Sequence, residues 1–229
     1  MEQLQGGYTL ETAPGSFPLS TDSMALSGFV RLPKSARVLD LGSGCGTLGL
    51  LLCAKDPLCR VTGIELSAPS HEAALENIRR NGLEKRLSSI CGDIRATDRM
   101  VSPGSFDICV SNPPYFSGGP ASGRNPLARR DDCCSMDELF RAAGWAVRYG
   151  GDFFLVHRPE RLAELFTCAG KAGLEPKRLC LLRHKAGGPV ALTLVQCRKG
   201  ARPGLAWEEM HLYEPDGTPS AAYRELYHL

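Results

Sequence analysis

In Val38-Leu39-Asp40-Leu41-Gly42-Ser43-Gly44-Cys45-Gly46-Thr47 an apolar strand runs into a glycine-rich turn, and a helix over Leu48 to Ala54 starts behind it. Glycines at such a turn let the backbone approach a ligand closely and bend sharply into the helix. The spacing is Gly-x-Gly-x-Gly, with an acid, Asp40, two residues before the first glycine. A dinucleotide-binding turn would read Gly-x-Gly-x-x-Gly and need no acid ahead of it. The acid suits a cationic cofactor such as S-adenosylmethionine, which carries an ammonium and a sulfonium. The bland alternative is a tight strand–helix turn with no ligand. On the cofactor reading Gly42, Ser43, Gly44, Cys45 and Gly46 line the site together with Asp40.

The next acids outward strengthen that reading. Arg60-Val61-Thr62-Gly63-Ile64-Glu65 is a second short strand ending in a carboxylate, nineteen residues after Gly46, with Leu66 next to it. A carboxylate at that place can accept both hydroxyls of a ribose. A third strand around Leu87 to Ile90 leads to Gly92-Asp93-Ile94. Asp93 can accept from an adenine amine there, with Ile94 packing on the ring. Either acid alone is an ordinary solvated strand-end residue; the pair, at these spacings, is the signal.

The fourth apolar run, Phe106-Asp107-Ile108-Cys109-Val110-Ser111, opens onto Asn112-Pro113-Pro114-Tyr115. A loop beyond a strand's carboxyl end is where open α/β sheets keep their ligands. The two prolines remove two donors and fix φ, leaving the preceding carbonyls rigid and available. The Asn112 amide oxygen and the Pro113 carbonyl offer two acceptors to the two protons of a planar amino group. Tyr115 offers a ring to stack under it, with Phe116 assisting.

On these motifs the chain resembles class I S-adenosylmethionine-dependent methyltransferases of the amino-methylating group, which carry an Asn/Asp-Pro-Pro-Tyr signature. It most resembles the bacterial valine-tRNA adenine-N6 methyltransferases, which modify the adenine beside the anticodon. Three features carry the closer match: Ser20-Thr21-Asp22-Ser23-Met24-Ala25-Leu26 ahead of the first strand, the compact size, and the closing Tyr213-Glu214-Pro215-Asp216-Gly217-Thr218-Pro219-Ser220-Ala221-Ala222-Tyr223. The resemblance implies a Rossmann-like α/β fold: a seven-stranded, mostly parallel sheet with an antiparallel last strand and helices on both faces. It implies one domain over residues 1–229. Within it, residues 1–35 cover the site, 36–200 form the core, and 203–229 form a turn and helix.

The alternation of patterns agrees. Strands are expected near 36–41, 60–65, 87–91, 106–111, 151–157, 175–183 and 190–198, and helices near 48–54, 68–81, 136–149 and 161–172. The last two strands are joined by Ala186-Gly187-Gly188-Pro189, a hairpin length, so the final one should run antiparallel. Residues 113–125, rich in Gly, Ser and Pro, read as a flap beside the site.

Composition fits one ordinary α/β domain of 229 residues. No apolar run approaches membrane-spanning length, and Met1-Glu2-Gln3-Leu4 begins no secretory signal, so a cytoplasmic protein is expected; a monomer is expected as well. None of the ten cysteines is spaced Cys-x-x-Cys, and Cys53, Cys109, Cys180 and Cys197 sit inside apolar elements. They read as small core residues in a reducing compartment, and no metal is expected. The adjacent Cys133-Cys134 pair has no histidine near it in sequence.

Net charge is only +2, yet residues 158–202 hold ten Lys/Arg against three Glu, and residues 203–229 hold five acids and one arginine. Arg124, Arg129 and Arg130 form a second basic cluster just after the Asn-Pro-Pro-Tyr loop. Such local excess builds phosphate-binding surfaces, though any single lysine or arginine is an ordinary solvated group. The expected partner is therefore tRNA, with Tyr115, Phe116, Arg124, Arg129 and Arg130 as substrate contacts. Three other readings remain: glutamine methylation of a release factor, methylation of a guanine amine in rRNA, and a non-enzymatic RNA-binding or scaffold protein. The release-factor enzymes usually add an N-terminal helical domain, for which the roughly 35 residues before the first strand are too short. The guanine enzymes more often carry Phe where this chain has Tyr115.

Overall fold

Side chains along the central strands alternate between two cores, as a pleated strand covered on both faces requires. On the seventh strand, Phe153 and Leu155 face one cluster while Phe154 and Val156 face the other, and all four are fully buried. The structure is a computed structural model describing residues 1–15, 18–113 and 134–227. A short ribbon of β1 (Glu2–Gln3) and β2 (Thr9–Leu10) precedes helix α1 (Thr21–Phe29). Strands and helices then alternate: β3 (Arg37–Leu41), α2 (Thr47–Lys55), β4 (Arg60–Glu65), α3 (Ala68–Arg80), β5 (Leu87–Cys91), α4 (Thr97–Met100) and β6 (Phe106–Ser111). After residues outside the description come α5 (Met136–Ala146), β7 (Val147–His157), α6 (Leu162–Lys171), β8 (Leu174–Lys185), β9 (Val190–Lys199), β10 (Ala206–Tyr213) and α7 (Ala221–Tyr227).

The main sheet has the order β10-β8-β9-β7-β6-β3-β4-β5. Helices α1, α2 and α7 pack on one face, and α5 and α6 on the other. The hairpin expectation holds: β9 is antiparallel to β8 and also to β7, while the other pairings in this sheet are parallel. The strand count does not hold, because among the described residues the sheet has eight strands rather than seven. Ala206–Tyr213, expected to belong to a terminal turn and helix, pairs in parallel with β8, from Ala206 opposite Arg178 to Tyr213 opposite Lys185. It escaped the pattern because it is an outer strand in which only Leu212 is buried, and Trp207, Glu208 and Glu209 face solvent. Exposed charge on an edge strand is a common guard against unwanted pairing.

One boundary also moves. The helix expected to reach residue 149 ends at Ala146, and β7 begins at once with Val147. The Gly150-Gly151 pair lies inside the strand at a register shift against β6. There Gly150 has φ of 74°, and a Cβ on Gly151 would stand 2.6 Å from the Asp107 carbonyl oxygen.

Candidate functional site

Because β3, β4, β5 and β6 are parallel, their carboxyl ends share one edge of the sheet. Leu41 lies opposite Ile64, Glu65 opposite Cys91, and Asp40 opposite Val110. Ser111 ties β6 to β3 by donating its hydroxyl to the Leu41 carbonyl at 2.8 Å. The residues singled out after these four strands therefore converge, as expected for a crevice outside the strand ends.

Asp40 is the least comfortable residue at this edge. It is 1% exposed, and neither carboxylate oxygen has a hydrogen-bond partner; the Ser43 hydroxyl is in the same position. Burial, and secondarily the Glu65 charge, push the Asp40 carboxyl from its ordinary 3.8 up to about 8. A buried polar group without a partner carries a desolvation cost that a ligand can relieve. Gly42, Gly44 and Gly46 take φ of 76°, 56° and 85°, a region where side chains are strained. A Cβ on Gly42 or Gly44 would meet nothing within 4 Å, so open space lies against the loop at those positions. A buried acid lacking partners beside open space and a glycine backbone suits a cationic ligand such as S-adenosylmethionine.

The loop is held on its other side by β4. Gly42 and Ser43 donate their N–H groups to the Ile64 carbonyl at 2.9 and 3.1 Å. Glu65 accepts from Gly44 N–H through Oε2 and from Ser67 N–H through Oε1, both at 2.8 Å. Leu66 beside it is 49% exposed, available to a ligand face.

Asp93 is engaged differently from the expectation of an acid waiting for an amine. Its Oδ1 accepts Arg95 N–H at 2.9 Å, and its Oδ2 accepts Arg95 Nε at 2.8 Å. The guanidinium hydrogen bonds hold its carboxyl below the usual carboxylate range. Ile94 packs against the core beneath α5.

Asn112 and Pro113 follow directly on β6. The Asn112 amide nitrogen donates to the Ser23 hydroxyl at 3.0 Å, which links the end of β6 to the first turn of α1. Pro114, Tyr115, Phe116, Arg124, Arg129, Arg130 and Cys133, and most of the expected flap over 113–125, lie outside the described residues.

Two sets of contacts were not read from the sequence. That of Ser23, quoted above only as part of the segment before the first strand, with Asn112 is one. The other is that of the amide pair Asn77 and Asn81 on α3. Asn77 is 1% exposed, donates to the Glu11 and Cys45 carbonyls at 2.8 and 3.0 Å, and accepts Glu11 N–H at 2.9 Å. Asn81 exchanges the same two bonds with Thr9, each 2.8 Å. Ala13 N–H adds a contact to the Cys45 sulfur at 3.4 Å. Residues 9–13 are thereby strapped onto α3 beside the glycine loop. The available signal was spacing: Asn77 and Asn81 are one helical turn apart, on a helix whose buried face carries Ala74 and Ile78.

The basic excess over residues 158–202 proves to be largely internal. Arg178 pairs with Glu208 at 2.9 Å, Arg183 with Glu209 at 3.1 Å and Arg198 with Asp152 at 2.9 Å, and Arg161 pairs with Glu164. Lys199 donates to the Gly144 and Val147 carbonyls. The acidic tail is thus the partner of part of the basic stretch, brought there by β10. Of the nine described cysteines, Cys91 is exposed, Cys134 half-buried and the other seven buried. Among the described residues no group of three or more metal-binding side chains forms, and no helix is long and apolar enough to cross a membrane.

Residues 19–165 match the methyltransferase small domain family. Similar curated proteins include the tRNA1(Val) (adenine(37)-N6)-methyltransferase of Bacteroides fragilis, 32% identical over 180 residues, covering 77% of this chain and 75% of that protein. The protein of the same name from Actinobacillus pleuropneumoniae serotype 7 is 29% identical over 212 residues, covering 91% of this chain and 87% of its own. Among solved structures, one titled as a predicted O-methyltransferase from Agrobacterium tumefaciens superposes with a TM-score of 0.77 at 21% identity, covering 91% of this chain and 96% of that one. A geranyl diphosphate methyltransferase in complex with S-adenosylmethionine gives 0.58 at 13% identity, covering 77% and 84%. At those identities the structural likeness speaks for the fold.

Proposed function

The chain belongs to the methyltransferase small domain family, and from that premise we propose that it methylates N6 of an adenine in tRNA. The position named for its curated relatives is adenine 37 of a valine tRNA. The observation that carries the cofactor half is the buried, unpartnered Asp40 carboxylate beside open space at Gly42 and Gly44. When bound, S-adenosylmethionine supplies the electrophilic methyl group. On our reading Asp40, the loop from Gly42 to Gly46, Glu65 and Leu66 hold it. Asp93 and Ile94 take its adenine, with Asp93 shared between that amine and Arg95.

The acceptor half rests on Asn112 and Pro113. The exocyclic amine of adenine is a poor nucleophile, because its lone pair is delocalised into the ring. Acceptors at the Asn112 side-chain oxygen and the Pro113 carbonyl draw its protons, favour a more tetrahedral nitrogen and align it for in-line attack. No strong base is needed, since the methylated amine is acidic enough to lose its proton to solvent. Most of the acceleration is then proximity and orientation. Pro114 stiffens the loop, Tyr115 and Phe116 stack on a base turned out of the anticodon loop, and Arg124, Arg129 and Arg130 meet phosphates. We read residues 1–229 as one domain that acts as a cytoplasmic monomer, with residues 1–35 over the site.

Mass spectrometry of nucleosides from a strain lacking the gene tests this reading. The expected result is loss of N6-methyladenosine from the valine tRNA. An unchanged tRNA together with an unmethylated glutamine in a release factor would replace the proposal with the protein-methylating alternative.

A further inference from the structure

The Asn112 amide is not placed by its own loop alone. Its nitrogen donates to Ser23 Oγ at 3.0 Å, across 89 residues of sequence, and Ser23 belongs to a helix pinned at both ends. At the start of α1, Ser20 caps the helix by accepting Ser23 N–H, and its hydroxyl lies 3.4 Å from Ser23 Oγ. Thr21 Oγ1 meets the Tyr227 hydroxyl of α7 at 3.1 Å. At the far end, Lys55 Nζ donates to the carbonyls of Ser27, Gly28 and Val30 at 3.0, 3.2 and 2.6 Å. Ser23 itself is only 7% exposed. A hydroxyl so mounted stays at one point in the molecule.

An asparagine side chain has two unlike ends, and a half-turn about its last torsion exchanges acceptor for donor. An amine acceptor needs the oxygen toward it. Turned the other way, the amide would set N–H against N–H. We infer that Ser23 is a positioning residue for the transfer: its hydroxyl, mounted on α1, accepts from the Asn112 amide nitrogen and anchors that side chain in the orientation that leaves its oxygen end for the acceptor amine. This rests on the reading of Asn112 given above. Nothing in this role touches cofactor or substrate, so Ser23 acts on turnover rather than on affinity.

The test is single-turnover and steady-state kinetics on an unmodified valine tRNA transcript for Ser23→Ala, Asn112→Ala, Asn112→Asp and Ser23→Ala/Asn112→Asp. Loss of one orienting hydrogen bond lowers kcat by about tenfold. KM for the tRNA and affinity for S-adenosylhomocysteine should stay within about twofold, since neither is touched. A carboxylate presents an acceptor oxygen whichever way it is turned, so Ser23→Ala should cost much less in the Asn112→Asp background. Ser23→Ala at wild-type turnover while Asn112→Ala is inactive would overturn the inference and leave the proposed function standing. A fall in kcat accompanied by equal losses in KM and cofactor affinity would also overturn it, because that is the mark of a disturbed fold. Asn112→Ala at wild-type turnover would instead remove the functional reading on which the inference stands.

Discussion

Glu65 Oε2 accepts the backbone N–H of Gly44 at 2.8 Å. One carboxylate at the end of β4 thereby fixes the glycine loop that leaves β3, while its other oxygen fixes the start of α3 through Ser67. A carboxylate offers about four lone-pair sites, so both bonds are compatible with ribose hydroxyls donating to the same group. The acid is a structural clamp as well as a candidate cofactor ligand.

Replacing it by its amide separates these demands poorly. In Glu65→Gln one end of the side chain becomes a donor facing either Gly44 or Ser67 N–H. Calorimetric titration with S-adenosylhomocysteine should show binding weakened by about 1–3 kcal/mol, the worth of hydrogen bonds to a charged acceptor. Binding unchanged from wild type would show that the clamp has no bearing on the cofactor.

Asp40 makes the stability of the ligand-free protein fall with pH. Its folded pKa lies near 8, above the ordinary 3.8. Between those values the folded state binds more protons than the unfolded chain. The contribution is therefore fully present below the lower value and is lost as pH rises through the upper one. Thermal unfolding from about pH 5 to about pH 9 should show Asp40→Asn gaining on wild type as pH rises, then levelling off. A constant difference across that range would mean that Asp40 titrates normally. The same variant should lose cofactor binding, since a neutral amide cannot balance a cationic ligand.

Gly63 joins β4 to the loop by close contact. A Cβ there would stand 2.5 Å from Ser43 Oγ and 2.7 Å from Ser43 Cβ. Gly63→Ala should cost about 1–3 kcal/mol in stability by overpacking. It should also weaken S-adenosylhomocysteine binding, because Ser43 sits within the loop and must move. Retained stability with retained binding would show that the loop yields without consequence.

Much of this was legible in the sequence, and the exceptions have physical causes. The range Phe106–Ser111 was readable because a strand covered on both faces gives a near-continuous apolar run. The convergence of Asp40, Glu65 and Asn112 followed from parallel strand ends. β10 was hidden because an edge strand exposes most of its side chains and carries Glu208 and Glu209 where apolar residues mark inner strands. For the same reason the basic stretch looked like a surface for phosphate, when Arg178 and Arg183 already had partners on β10. The engagement of Asp93 by Arg95 and of Asn112 by Ser23 depends on side-chain geometry that no spacing encodes.

With part of that stretch neutralised internally, the salt dependence of tRNA binding should reside mainly in the other basic cluster. Affinity for unmodified tRNA should fall steeply with salt. The Arg129→Ala/Arg130→Ala double variant should lower the slope of log affinity against log salt by about one unit or less per arginine. A flat profile, or a double variant binding as tightly as wild type, would point to a protein substrate.

On the proposed function, one adenine amine receives the methyl group through Asn112. The most direct test of that transfer incubates purified protein with S-adenosylmethionine and an unmodified valine tRNA transcript, followed by nucleoside mass spectrometry. The account predicts one N6-methyladenosine per transcript, absent when adenine 37 is replaced by guanine and nearly absent with Asn112→Ala, whose affinity for S-adenosylhomocysteine stays within about threefold of wild type. Methylation of a different nucleoside, or wild-type turnover by Asn112→Ala, would contradict it.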